Sequence, residues 1–220
     1  MSEIFIFLGR AGSGKGTQAK LLQEKFGLIY LGSGELLRAR TKANDFTGHK
    51  TFERMKTGAL VPTSLIFQLW INRLEEIENT EGENFKGIIF DGSPRMLPEA
   101  ELLLEALEWY EWDKNIQVFL VDISREEAFN RLTRRRMCQN CGQLIPYVGH
   151  YKTLEKCDKC GGELETRSDD TPEAINLRLD LFEKEVVPVI EFFEEKKMLK
   201  KINGEQSIED VQKEILGKID

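Results

Sequence analysis

Residues 4–8, Ile-Phe-Ile-Phe-Leu, form an unbroken apolar run that stops at Gly9. A glycine-rich stretch covers 9–16, and residues 17–26 then take helical spacing, with Ala19, Leu21, Leu22 and Phe26 available for an inner face. The pattern is strand, loop, helix. Two further short apolar runs, 87–90 and 117–121, each follow a helical stretch, at 64–78 and 98–109. Strands alternating with helices predict a parallel sheet covered on both faces. Two segments break the alternation. Residues 32–61 are charged and mostly helical, whereas 134–170 carry cysteines and glycines with little periodicity. After Thr171 a long helical pattern runs to about residue 197, then a weak last strand at 200–203 and a closing helix at 208–216. No internal repeat or low-complexity linker is present. The predicted architecture is one α/β core with two inserts.

Length and charge narrow the class. A chain of 220 residues with 40% apolar content suffices for one substantial core with small inserted lobes. The formal charge of −7 argues against a broad surface for nucleic acid or anionic membrane. No apolar run approaches membrane-spanning length, and MSEIFIFLG carries no basic leader, so no signal peptide is expected. The four cysteines fall into two close pairs, which in such a chain suggests metal rather than disulfides and a cytoplasmic location.

Candidate chemistry begins at the first glycines. Gly9-Arg-Ala-Gly12-Ser13-Gly14-Lys15 matches the G-x-x-x-x-G-K phosphate loop in the strand-to-helix setting that the motif needs. Glycines let successive N–H groups turn toward phosphate oxygens, and the helix starting near Lys15 adds its positive end. The hydroxyl comes one position late: Gly16 follows the lysine and Thr17 follows Gly16. Cys138-x₂-Cys141 and Cys157-x₂-Cys160, fifteen residues apart, have the spacing of a four-thiolate zinc site. Four thiolates close the tetrahedron, so the ion is expected to be structural. A nucleic-acid-binding zinc ribbon would use Arg134–Arg136, but Glu155, Asp158, Glu163 and Glu165 share that insert. Finally, Asp91-Gly-Ser-Pro-Arg95 and Glu99 crowd two acids and an arginine around a turn. They would suit a salt-bridged loop, or a site in which Arg95 holds an anion and Glu99 touches what the anion is attached to.

Gly-Lys-Gly-Thr-Gln at 14–18, with LGSGELLR (31–38), GALV (58–61), DGSPR (91–95), RLTRRR (131–136), ETRSDD (165–170) and INGEQ (202–206), resembles the adenylate kinase family over nearly the whole chain. The resemblance implies a three-layer P-loop α/β core with a parallel sheet, formed by 1–31, 62–133 and 171–220. It implies a helical acceptor-binding lobe at 32–61 and a zinc-stapled lid at 134–170. The implied reaction is reversible, Mg²⁺-dependent transfer of the ATP γ-phosphoryl group to a nucleoside monophosphate, AMP above all, by a monomer. Under it, Gly12, Ser13, Gly14, Lys15, Gly16, Thr17, Arg131 and Gln206 bind ATP, with Arg131 against the donor base and Gln206 in the adenine-contacting turn. Asp91 meets Mg²⁺ through water. Ser33, Arg38, Leu60, Val61, Gly92, Ser93, Arg95 and Glu99 bind the monophosphate together with Arg167 and Arg178. Lys15, Arg95, Arg135, Arg167 and Arg178 serve transfer itself. No general base is required, because the attacking phosphate oxygen is already anionic. The only histidines, His49 and His150, lie in no motif and read as exposed loop residues.

The chain departs from the family in four places. Leu144-Ile145 stands where lids of this type often carry a hydroxyl and an aromatic residue, Ser93 stands where phenylalanine is usual, and Ser33 stands where threonine is frequent. Glu99 replaces a typical glutamine, whose amide can both donate to adenine N1 and accept from N6. An ionised carboxylate only accepts, which favours guanine. A kinase preferring GMP or another monophosphate is therefore one alternative. A non-catalytic nucleotide switch or zinc interaction module is another, although a switch needs no opposed arginine sets.

Overall fold

The computed structural model describes residues 2–167 and 169–219; Met1, Ser168 and Asp220, inside the expected ranges, lie outside the described residues. The first four strands are β1 (Glu3–Leu8), β2 (Ile29–Gly32), β3 (Gly87–Asp91) and β4 (Ile116–Asp122). A separate small sheet holds β5 (Arg136–Cys138), β6 (Leu144–Ile145) and β7 (Leu164–Thr166), and β8 (Leu199–Asn203) then returns to the first sheet. The main sheet is parallel throughout, in the order β2-β3-β1-β4-β8.

Strand β1 shows why the core has three layers. Its Ile4, Ile6 and Leu8 face one way, packing with Trp70 and Leu74 of α4 (Thr63–Glu81), Leu103 of α5 (Leu97–Trp109) and Phe193 of α8 (Val187–Glu195). Phe5 and Phe7 face the other, against Ala19 and Leu22 of α1 (Lys15–Phe26) and Val211 and Ile215 of α9 (Ile208–Leu216). A strand buried on both faces has no polar alternation, hence the continuous run in the sequence.

Segment 32–61 folds as α2 (Ser33–Arg40) and α3 (Phe46–Thr57), the latter capped by the Asp45 carboxylate on the Gly48 N–H. His49 lies on α3, exposed, and not in a loop as expected. His150 sits in a 3-10 turn, Gly149–Thr153, against the Tyr151 ring. The expected helix after Thr171 is present but interrupted. It comprises α7 (Pro172–Leu181), a π-helical turn (Phe182–Val186) and α8. Pro188 has no N–H for the Lys184 carbonyl, and the helix absorbs the missing bond by widening just before it, with Val187 N–H bonded to Phe182 O.

Two elements carry no readable apolar signal. Edge strand β2 has only four residues, and α6 (Arg125–Thr133, REEAFNRLT) buries only Ala128, Leu132 and the stem of Arg131. Polar chemistry starts α6 instead: Ser124 accepts from the Glu127 N–H.

Candidate active site

In a parallel sheet the loops leaving the carboxyl ends of neighbouring strands meet at one edge. Here β1 and β3 are adjacent, with Phe7 opposite Asp91, so the phosphate loop and the turn after Asp91 lie side by side. Gly12 and Gly14 take positive φ of 84° and 93°, and α1 starts at Lys15 immediately beyond. The Lys15 ammonium donates to Arg10 O at 3.3 Å. Loss of hydration brings its pKa down to about 8, and Arg95, Arg135 and Arg178 push the same way while Asp91 opposes them.

The late hydroxyl has a steric reason. A Cβ on Gly16 would meet Asp91 Oδ2 at 2.8 Å, so a bare backbone lets α1 pass the carboxylate. Tyr30, a residue with no motif to mark it, donates its hydroxyl to that same oxygen at 2.6 Å. Burial, with Asp91 next to it, keeps the Tyr30 phenol protonated far above its usual range. The second oxygen, Asp91 Oδ1, is buried without a partner. An orphaned carboxylate oxygen beside the phosphate loop fits a water of a hydrated magnesium ion.

One cleft gathers most of the predicted residues. Gly12 and Lys15 reach it from the phosphate loop, Ser33 and Arg38 from α2, and Leu60 and Val61 from the link into α4. Gly92, Ser93, Arg95 and Glu99 line it from the β3–α5 turn, Arg135 and Arg167 from just after α6 and β7, and Arg178 from α7. Ser33 and Ser93 share a hydrogen bond between their hydroxyls. The rest lie outside its lining. Ser13 is buried behind it, Gly14 and Gly16 belong to the turn into α1, and Thr17 faces a separate groove with Leu21 and Tyr151. Arg131 is buried, donating from Nη1 to Gly204 O (3.0 Å) and from Nε to Glu127 (2.6 Å). Gln206 turns its amide N–H to Glu214 Oε2 at 2.7 Å.

The arginines are held by acids that also belong to the site. Asp170, its side chain fully buried, accepts a two-pronged bond from Arg135 (2.9 and 2.8 Å) and another from Arg178 (2.8 Å). Asp169 accepts from Arg167 through both oxygens (2.9 and 2.6 Å) and from Arg178 Nη2 (2.9 Å). Burial pushes the Asp169 carboxyl up, yet Arg167 and Arg178 outweigh it and leave it below the usual range. Arg95 bonds Gly92 O through Nε at 2.7 Å. Burial, reinforced by neighbouring cations, lowers the guanidinium pKa of Arg38, Arg95 and Arg135. A cleft crowded with cations at that electrostatic cost is matched to a polyanion. The pairings with Asp169 and Asp170 leave Arg135, Arg167 and Arg178 lining the cleft, so the acids position them and do not remove them from it.

Glu99 serves as a helix-start acid and lines the cleft as well. In the first turn of α5 it is buried, and its Oε2 accepts from the Arg95 N–H at 2.7 Å. That bond lowers its pKa, but burial outweighs it and raises the carboxyl above the usual range.

The four cysteine sulfurs lie within 4.8 Å of one another, with Cys138 to Cys160 at 3.5 Å and Cys141 to Cys157 at 3.7 Å. Sulfurs at the corners of a tetrahedron about 2.3 Å from a zinc ion would be separated by similar distances, so the donor set fits zinc. Each pair closes the same way: Gly142 and Gly161, at φ 72° and 71°, return their N–H groups to Cys138 O and Cys157 O. The Cys141 N–H leads the groups that bring the Cys138 thiol down to about 6, toward the thiolate that a metal needs.

The adenylate kinase family model matches residues 7–198. The chain belongs to the adenylate kinase family. It is 38% identical over 212 residues to the adenylate kinase of Archaeoglobus fulgidus, covering 96% of this chain and 94% of that one. It is 37% identical over 207 residues to that of Thermodesulfovibrio yellowstonii, covering 94% of each chain, and 36% identical over 213 residues to that of Methanocella arvoryzae, covering 96% and 95%. Membership gives the enzyme its reaction class, phosphoryl transfer between ATP and a nucleoside monophosphate. Among the described residues no helix is long and apolar enough to cross a membrane.

Two outcomes are expected. A lysine with a pKa of about 8 is part neutral at pH 8, and a bound phosphate favours its charged form. ATP binding at pH 8 should therefore take up as much as about half a proton, read by calorimetry in buffers of different ionisation enthalpy, and affinity should weaken from pH 7 to 9. The Lys15→Ala variant should lose the uptake; an equal uptake in that variant would assign it to another group. Purified protein should also contain about one zinc per chain, and chelation should lower its melting temperature while the core stays folded. Less than about half an equivalent would count against a tight four-thiolate site.

Proposed function

We propose that the enzyme transfers the γ-phosphoryl group of Mg²⁺-ATP reversibly to a nucleoside monophosphate, with AMP as principal acceptor. The observation that carries this reading is the convergence of Lys15, Arg38, Arg95, Arg135, Arg167 and Arg178 on one cleft. Transfer between two phosphates requires alignment and charge neutralisation more than acid–base chemistry. Lys15 would follow the charge that moves between the β- and γ-phosphates. Arg38 and Arg95 would hold the acceptor phosphate, and Arg135, Arg167 and Arg178 would hold the group in flight, each with a planar fork suited to phosphate oxygens. Magnesium arrives with ATP and neutralises phosphate charge when bound; Asp91 Oδ1 would orient one of its waters.

The same reading assigns 32–61 to the acceptor lobe and 134–170 to a lid, the latter stapled by zinc on Cys138, Cys141, Cys157 and Cys160. Both lobes close to keep water from the transferring group. Arg131 and Gln206 keep the donor-base assignment, on the strength of family membership. Cysteines that hold a metal and form no disulfide suit a reducing compartment, so the enzyme acts in the cytoplasm, and two moving lobes around one core suit a monomer.

Glu99 decides the acceptor base. Oε2 is committed to the Arg95 N–H, and burial raises the carboxyl above the usual range. A protonated carboxyl can donate to adenine N1 and accept from N6, as an amide does, whereas the ionised form favours the paired donors of guanine. The test is ADP formation with AMP, GMP, CMP and UMP, with and without Mg²⁺, in the native protein and in Glu99→Gln. AMP should give the highest kcat/KM, some GMP activity should persist, and Glu99→Gln should raise the AMP-to-GMP ratio by about tenfold. A native preference for GMP would replace the adenylate reading. No turnover with any monophosphate would leave only a nucleotide-binding switch.

A further inference from the structure

The second position of the phosphate loop holds a side chain that the proposed chemistry does not use. Arg10 is largely buried, at 16% side-chain exposure, and is not among the residues that line the cleft. Its Nη1 donates to Asp122 Oδ1 (2.9 Å) and Ile123 O (3.0 Å) at the end of β4, and Nη2 donates to Glu183 Oε1 (2.5 Å). The guanidinium lies 4.4 Å from the centre of the Phe182 ring. Phe182 and Glu183 open the π-helical turn between α7 and α8.

The Arg10 backbone faces the other way. Its carbonyl accepts from the Ser13 N–H (3.1 Å) and from the Lys15 ammonium (3.3 Å). Phe182 lies four residues after Arg178, one helical turn along, and both line the cleft. One residue thus touches Lys15 through its main chain and the Arg178 helix through its side chain. We infer that Arg10 is a positioning residue: it bolts the phosphate loop to the π-turn and so fixes the separation and orientation of Lys15 and Arg178 across the reacting phosphates. The π-turn matters because a widened turn is where a helix tolerates displacement, and there the bolt holds it. Both carboxylate partners are exposed, at 58% and 47%, and a pair between two exposed groups would contribute little; the guanidinium itself is largely buried, also donates to the Ile123 carbonyl and lies against an aromatic face.

The inference rests on the phosphotransferase reading, and its test separates the two. Arg10→Met keeps an unbranched side chain and loses the guanidinium that lies on Phe182; Glu183→Gln changes only the partner on the π-turn. A misplacement of about 1 Å far from the chemistry can cost 10²-fold in rate. Arg10→Met should lower kcat by about tenfold or more, while the calorimetric Kd for ATP moves less than about twofold. Glu183→Gln should lower kcat less, and the double variant should be no slower than Arg10→Met, because both act through one contact. A kcat within twofold of native in Arg10→Met would overturn the inference, as would a fall in kcat fully matched by weaker ATP binding, which would make Arg10 a phosphate ligand. If Arg10→Met does not fold, Glu183→Gln decides alone: unchanged kcat refutes the bolt. Absence of turnover in the native protein would instead remove the phosphotransferase reading itself.

Discussion

Cations do not gather in a half-buried cleft without compensation. Two unit charges 4 Å apart near a protein surface repel by about 4 kcal/mol, and here Lys15 and five arginines share one wall-to-wall space. Asp169 and Asp170 make the arrangement tenable. Each takes two guanidinium groups, and both follow Arg167 and precede α7, which carries Arg178. Breaking such a buried pair from one side costs about 3–5 kcal/mol, because the partner stays buried and unpaired. The rest of the site takes its geometry from this network. Arg135 leads into the cysteine-bearing segment and Arg167 leads out of it, so that segment is tied to the cleft at both ends by the same two carboxylates.

The core supplies the fixed side of the cleft. Adjacent parallel strands β1 and β3 put the phosphate loop against Asp91, and Gly16 lets the approach be close. Segments 32–61 and 134–170 are small and built differently from the core. The segment 134–170 is organised by a thiol cluster, with Ile145 as the one buried apolar side chain among its described residues besides Cys138 and Cys157. Segment 32–61 is two short helices, the second capped by Asp45 and Gly58, with Phe46 and Phe52 left exposed. Few buried apolar contacts make a segment cheap to displace as a unit.

What could be read from the chain divides along physical lines. Strands buried on both faces announce themselves as runs, and β1, β3 and β4 were legible for that reason. Strand β2 is four residues at an edge, and α6 is held by a serine cap, so neither leaves an apolar pattern. The thiolate cluster was legible because ligand spacing is a local constraint. The arginines were legible as a set only through several ordered motifs. Tyr30 and Arg10 were not legible at all. Their roles come from contacts 61 and 112 residues away in the chain, to Asp91 and Asp122, and no local rule marks them. Glu99 was half legible: its place in the first turn of α5 was, and its simultaneous exposure to the cleft was not.

The central claim is that one cation-lined cleft holds two nucleotides at once, with both lobes closed over them. Hydrogen exchange of the native enzyme, with ATP alone and with a molecule joining two adenosines through a phosphate chain, tests it directly. The joined molecule should protect both 33–57 and 136–166 more than ATP does, because only it engages both arginine sets. Equal protection by the two ligands would contradict a shared site closed from both sides.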